Sequence, residues 1–241
     1  MSKHDYTEVA HTWADANHYA PSSRHRRRII LELVKPLDYD SYIDVGCAQG
    51  YLIEGIKKLR PSKGAGCDVS EIVIAENKQK MPDIDFFTAD ISKRDAQLPD
   101  VKYDLVMSSE VIEHIEDYET AVYNLCRLSK KYVLITTPVG KLYDIDKSLG
   151  HFQFPSKEKL CSILKSNGFN LLLVSEWGFP FYVCYKKLID VVGADKIYSA
   201  YTKKYSPFQK FTASCLYTLF FANDLFSKGC QLVLLAERKN V

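Results

Sequence analysis

Two carboxylates and an imidazole stand close together in Ser108-Ser109-Glu110-Val111-Ile112-Glu113-His114-Ile115. On a helix, Glu110, Glu113 and His114 fall at i, i+3 and i+4 and share one face. Such a group is costly to hold together without a cation. With His151, in Leu149-Gly150-His151-Phe152-Gln153-Phe154, it would suit an octahedral Mg²⁺, Mn²⁺ or Fe²⁺. Two other readings use the same residues. Glu110 contacts an organic cofactor with His114 packed beneath it, or His114 or His151 serves as a metal-free general base, since imidazole titrates near neutral pH.

A second constellation lies upstream, in Ile43-Asp44-Val45-Gly46-Cys47-Ala48-Gln49-Gly50. Here an apolar run ends in a glycine turn and a helical pattern follows. Glycine permits a tight turn and close approach of a ligand, and the helix start offers unpaired N–H groups. The spacing Gly46-x-x-x-Gly50, with Ala48 between, is not the G-x-G-x-x-G dinucleotide pattern, which disfavours an NAD-dependent oxidoreductase. Two acids extend the signal. Asp68, followed by Val69, closes the next apolar run, where a carboxylate can take two ribose hydroxyls. Asp90, followed by Ile91, comes after the third, where it can accept from an adenine amino group.

These residues need a frame that brings strand ends to one edge. Apolar runs at 42–46, 64–68, 85–88, 103–107 and 132–136 alternate with helical patterns such as 52–59 and 72–78. Alternation of this kind predicts a parallel sheet covered on both faces. A helix over 24–34 precedes the sheet. A helix over 156–167, with Ser156 at its start and Gly168 at its end, follows it. Runs at 171–175 and 231–237 supply two more strands. The fold class expected is α/β: a doubly wound, Rossmann-like seven-strand sheet with helices on both faces.

Glycine turn and acids in this order resemble the class I S-adenosylmethionine-dependent methyltransferases, over roughly residues 24–175 and the terminal strand. The likeness is strongest to the ubiquinone-type O-methyltransferases. It implies that Asp44, Gly46, Cys47 and Gly50 cradle the methionine part of S-adenosylmethionine. It further implies that Asp68 and Val69 take the ribose, that Asp90 and Ile91 border the adenine, and that Ser109 lies at the cofactor. Cys47-Ala48-Gln49 departs from the family where a third glycine is usual. The E-x-x-E-H plus later His is also similar to the small-RNA 3′-terminal 2′-O-methyltransferases. In those enzymes the residues matching Glu110, Glu113, His114 and His151 hold a divalent metal. The expected reaction is methyl transfer to a hydroxyl of a small-molecule, sugar or lipid-like acceptor. RNA 2′-O-methylation is the first rival, and a non-catalytic binding or regulatory protein of the same fold is the second.

Composition narrows the rest. With 32 Lys+Arg against 30 Asp+Glu the net charge of +2 argues against a protein built to grip nucleic acid non-specifically. The seven cysteines form no C-x-x-C pair, which reads as a reduced, cytoplasmic protein. Residues 211–226 are apolar, yet hold Thr212, Ser214, Asn223 and Asp224. That stretch is too short and polar to span a bilayer but can lie on one.

Three units are expected. Residues 1–40 form a helical cap over the active site, in which Trp13, His18 and Tyr19 line the pocket or pack on the sheet, while the cluster Arg24, Arg26, Arg27 and Arg28 is a solvated helix start or a contact to an anionic acceptor or to the cofactor carboxylate. Residues 41–177 and 228–241 form the cofactor-binding core. Residues 178–227, dense in Phe and Tyr, form a helical insertion before the last strand, serving as acceptor lid, dimer or membrane face, or ordinary packing.

Overall fold

Runs of apolar residues flanked by turn-formers become the strands of one sheet. They are β1 (Ser41–Val45), β2 (Lys63–Asp68), β3 (Asp85–Thr88), β4 (Tyr103–Ser109), β5 (Ser129–Pro138), β6 (Phe169–Gly178) and β7 (Gly229–Arg238). The computed structural model describes residues 10–94, 96–193, 196, 199 and 203–239. Tyr198 and Tyr201 of the aromatic run, and both chain ends of the expected units, lie outside them.

The strand order is β3-β2-β1-β4-β5-β7-β6. The first five strands are parallel, and β7 runs antiparallel to both β5 and β6. Parallel strands covered on both faces need apolar residues at consecutive positions. β4 is buried from Tyr103 to Ser108, with Leu105, Val106 and Met107 as its consecutive apolar centre.

Period-two alternation divides the core between two faces. Ile43, Val45, Val106, Val133 and Ile135 face α5 (Tyr118–Leu128) and α7 (Lys157–Ser166), through Leu125 and Leu164 among others. Tyr42, Leu105, Met107 and Leu134 face the opposite way. There they meet Ile30 and Val34 of α2 (Pro21–Val34), Ile53 and Ile56 of α3 (Tyr51–Lys57) and Ile74 of α4 (Glu71–Lys80). The expected doubly wound α/β sheet is present, with helices on both faces.

α2 starts at Pro21, three residues before the apolar periodicity suggests, because proline suits a first helical position where no N–H bond is needed. A short helix, α1 (Ala14–Tyr19), precedes it. α6 (Asp144–Ser148) follows β5. The helical insertion before the last strand holds α8 (Phe181–Val192), α9 (Pro207–Phe220) and a 3₁₀ turn over Phe221–Leu225.

α9 packs on α2. Arg24 Nη1 donates to Ser214 Oγ at 3.1 Å and its guanidinium lies 4.0 Å from the Tyr217 ring centroid. Asp224 receives Arg28 at 2.5 Å and faces His25 Nε2 at 3.2 Å. Among the described residues no helix is long and apolar enough to cross a membrane.

Candidate active site

The carboxyl ends of β1, β2, β3 and β4 share one edge of the sheet, and the flagged residues gather there. Gly46 and Gly50 adopt φ +78° and +74°, and Ala48 also has positive φ, at 42°. A Cβ on Gly46 would overlap Val111 Cγ2, and one on Gly50 would come within 2.5 Å of Met81 Cε. The turn is therefore tight on both sides, and only glycine meets both the dihedral and the space.

Hydrogen bonds from outside hold it. Gly46 N–H and Cys47 N–H donate to the Cys67 carbonyl at 2.8 and 3.0 Å. Asn77 Nδ2 donates to the Ala48 carbonyl at 2.7 Å. Asn17 Nδ2, from α1, donates to Gln49 Oε1 at 2.8 Å, which ties the N-terminal segment to the turn. His18 lies against Tyr51 with ring centroids 4.6 Å apart.

Asp68 ends β2 and accepts the N–H groups of Ala48 and Ser70, each at 3.0 Å. Its two oxygens retain further acceptor capacity for hydroxyls. Burial pushes its pKa up, against the pull of these backbone donors. Asp44 is more deeply placed. Burial, and then the charge of Asp68, push its carboxyl up to about 7. A cationic group arriving beside this acidic pair would be favoured, because it stabilises the ionised form of each carboxyl.

Val69 is exposed at the same edge. Asp90 accepts Ser92 N–H at 3.0 Å and Ser92 Oγ–H at 2.6 Å. Burial raises its pKa, but the Ser92 bonds and Lys93 outweigh that and leave it below the ordinary value. Ile91 is buried, and the wholly buried Asn124 of α5 donates to its carbonyl at 2.9 Å and to that of Lys93 at 2.8 Å.

The acidic run after β4 departs from the expected helix. Glu110 takes a left-handed backbone, φ 59°, and only Ile112–His114 forms a single 3₁₀ turn. The i, i+3, i+4 face is therefore not built. Glu110 turns toward α2 and β5 instead. Its carboxylate meets Arg26 Nη1 at 3.4 Å and accepts Thr136 Oγ1 at 3.3 Å. Arg26 Nε also donates to Ser109 Oγ at 3.1 Å, and Ser109 lies 2.9 Å from Thr136 Oγ1.

Glu113, His114 and His151 do converge, each offering a donor atom within 4.8 Å of the others. Glu113 is completely buried. Thr137 Oγ1 donates to its Oε2 at 3.2 Å, while Oε1 has no hydrogen-bond partner among the described residues. Burial, then the charge of Glu110, push its pKa well up.

His114 Nδ1 sits 3.2 Å from the Gly150 carbonyl, which can only accept, so Nδ1 donates there. The His114 and His151 rings meet edge to face, centroids 4.6 Å apart. His151 Nδ1 is buried, 3.8 Å from Asp146 Oδ1 and without a hydrogen-bond partner among the described residues. Burial, then the neighbouring His114 and Lys186, push its pKa down to about 2. Lys186 of α8, itself buried, pairs with Asp146 at 3.0 Å.

The chain carries the sequence pattern of a methyltransferase domain over residues 13–174. It belongs to that family. The glycine turn, the acids at three strand ends and the strand order together make it a class I S-adenosylmethionine-dependent methyltransferase by descent, with S-adenosylmethionine as cofactor.

No curated protein matches the sequence. Solved structures share the fold at low identity. The N-methyltransferase NodS from Bradyrhizobium japonicum, with S-adenosyl-L-homocysteine, is 16% identical with a TM-score of 0.61, covering 98% of each chain. Magnesium protoporphyrin IX methyltransferase from Synechocystis is 16% identical with a TM-score of 0.56, covering 97% of this chain and 85% of that one. The [4+2]-cyclase SpnF is 14% identical with a TM-score of 0.62, covering 91% and 82%. Their named activities differ, so the shared fold leaves the acceptor of this methyltransferase to be argued from its own site.

Asn77, Asn124, Asp146 and Lys186 make these contacts but carried no motif. The strongest signal available for Asn124 was its place on the apolar face of α5, where a polar residue needs a partner.

Proposed function

We propose that this chain transfers the methyl group of S-adenosylmethionine to a hydroxyl of a small, partly apolar acceptor, with a divalent cation held by Glu113, His114 and His151. The observation that carries this is the convergence of those three groups, with the buried Glu113 Oε1 lacking a hydrogen-bond partner among the described residues. A buried polar atom without a partner is expensive, and a cation would satisfy it. One carboxylate with two imidazoles favours Mn²⁺ or Fe²⁺ over Mg²⁺, which prefers an oxygen shell. When bound, the cation would lower the pKa of an acceptor hydroxyl.

The chain's own residues do the rest. The Gly46–Gly50 turn, Asp44 and Asp68 hold and orient the cofactor, and the Asp90–Ile91 loop borders its adenine. Glu110, drawn to Arg26, closes the space between the cofactor edge and α2 rather than joining the cation. Alignment of the acceptor oxygen with the methyl group is the main task left, because the sulfonium is already a strong electrophile.

Label transfer from methyl-tritiated S-adenosylmethionine into fractionated source-cell extract tests this. Label in a lipid or small-molecule fraction, lost with chelator and restored by Mn²⁺ or Fe²⁺, is the expected result. Label that survives chelation assigns the proton to His114 and removes the cation. Label in RNA, or on an amine, overturns the acceptor class. Absence of label in every fraction, together with retained cofactor binding, favours the non-catalytic reading.

A further inference from the structure

We infer that the insertion between β6 and β7 docks this protein onto an anionic lipid bilayer. The observation is a pair of apolar stripes that the fold leaves uncovered. On α9, Phe208, Phe211, Cys215 and Leu219 fall within an arc of roughly 80° at 100° per residue. Phe208 is 74% exposed and Phe211 65%.

The opposite side of α9 is occupied: Ala213 and Phe220 are buried, and Ser214 and Tyr217 meet Arg24 of α2. The stripe is thus the face that packing did not use. α8 repeats the arrangement, with Leu188 61% and Val191 85% exposed while Lys186 and Ile189 point inward. Two amphipathic helices with aromatic and aliphatic exposure on this scale are unusual for a free surface.

Charge selects the occupant. Residues 178–228 hold seven Lys against three Asp, a net +4, whereas the whole chain carries +2; the remainder is therefore −2. Lys187, Lys203 and Lys204 are exposed and have no carboxylate partner among the described residues. Lysines beside exposed Phe and Leu are what an anionic lipid surface binds: the rings enter the headgroup boundary and the ammonium groups meet phosphate. A protein partner would be expected to bring acidic groups, whereas a second copy would set these lysines against each other. The inference does not depend on the identity of the methyl acceptor.

The test is co-sedimentation of the full chain with vesicles of phosphatidylcholine alone or with phosphatidylglycerol added, across a salt series. The expected result is binding to the anionic vesicles only, weakened as salt rises. F208S/F211S should weaken it by roughly tenfold or more through lost apolar burial, and K203Q/K204Q should flatten its salt dependence. Both pairs are exposed, and unchanged melting with S-adenosylhomocysteine would show the fold and cofactor site intact. Absence of sedimentation with anionic vesicles, or binding unaffected by F208S/F211S, would overturn the inference. So would a dimer in light scattering that F208S/F211S converts to monomer, since a second copy would then cover the face.

Discussion

At the scale of single residues, the proposed function divides the site into groups that hold the cofactor and groups that face the acceptor. Asp68 bridges the glycine turn and the end of β2 through the Ala48 and Ser70 N–H groups. Asp68→Ala should weaken cofactor affinity by about tenfold or more, as loss of charge-assisted bonds does. His114→Ala should leave that affinity within about twofold and abolish turnover. Calorimetric titration with S-adenosylhomocysteine, beside a turnover assay, checks both; equal loss of affinity would undo the division.

A Gly46→Ala change meets Val111 and a left-handed backbone at once. It should cost about 1–3 kcal/mol of stability, read from denaturant unfolding. The residues that make these contacts were legible in sequence because chemistry restricts their type. Asn77 and Asn124 were not, since an amide that pins a carbonyl across the fold leaves no spacing to read. The same blindness misplaced Glu110: sequence spacing assumes a helix, while the backbone turns left-handed where Glu110 N–H reaches the Thr136 carbonyl at 3.0 Å.

At the scale of elements, α2 joins the insertion to the core, and His25 is the buried joint. Its ring lies 4.9 Å from Trp177 and near Phe220, with no solvent exposure. Burial pulls its pKa down to about 4, against the opposing pull of Asp224. In the unfolded chain it would titrate near 6.5, so the unfolded state binds the extra proton first. Stability from this group is present above pH 6.5 and falls as pH drops toward 4, by up to about 1.4 kcal/mol per unit. Melting temperatures between pH 7 and 4 should decline less steeply in His25→Phe than in the native chain; parallel declines would contradict this.

Strand positions were visible in the apolar runs, and β3 has the predicted limits, because period and composition act locally. β6 extends at both ends past its run and β5 extends to Pro138, where β7 pairs with both; the start of β5 at Ser129 is set by pairing with Tyr103 of β4. That pairing is a tertiary event which no local window contains.

At the scale of the whole molecule, cofactor bound as proposed would link the glycine turn and three strand ends. Saturation with S-adenosylhomocysteine at about 100 times Kd adds about 2.7 kcal/mol. For a chain of 241 residues this should raise Tm by roughly 5–10 °C in differential scanning fluorimetry. Failure of Tm to move at saturation would favour a chain that has kept the fold and lost the ligand. The overall fold was legible because strand–helix alternation with this glycine turn admits few topologies. The acceptor was not, because a shared fold leaves it to the particular site.

The place of β7 has a consequence for how the chain is made. It follows every other strand in sequence, yet it lies inside the sheet, between β5 and β6. A nascent chain must keep two strand edges unpaired until Gly229–Arg238 arrives. A nonsense change just upstream would not trim a tail. It would leave an open slot in the middle of the sheet, a species for chaperones and proteases rather than a shortened enzyme.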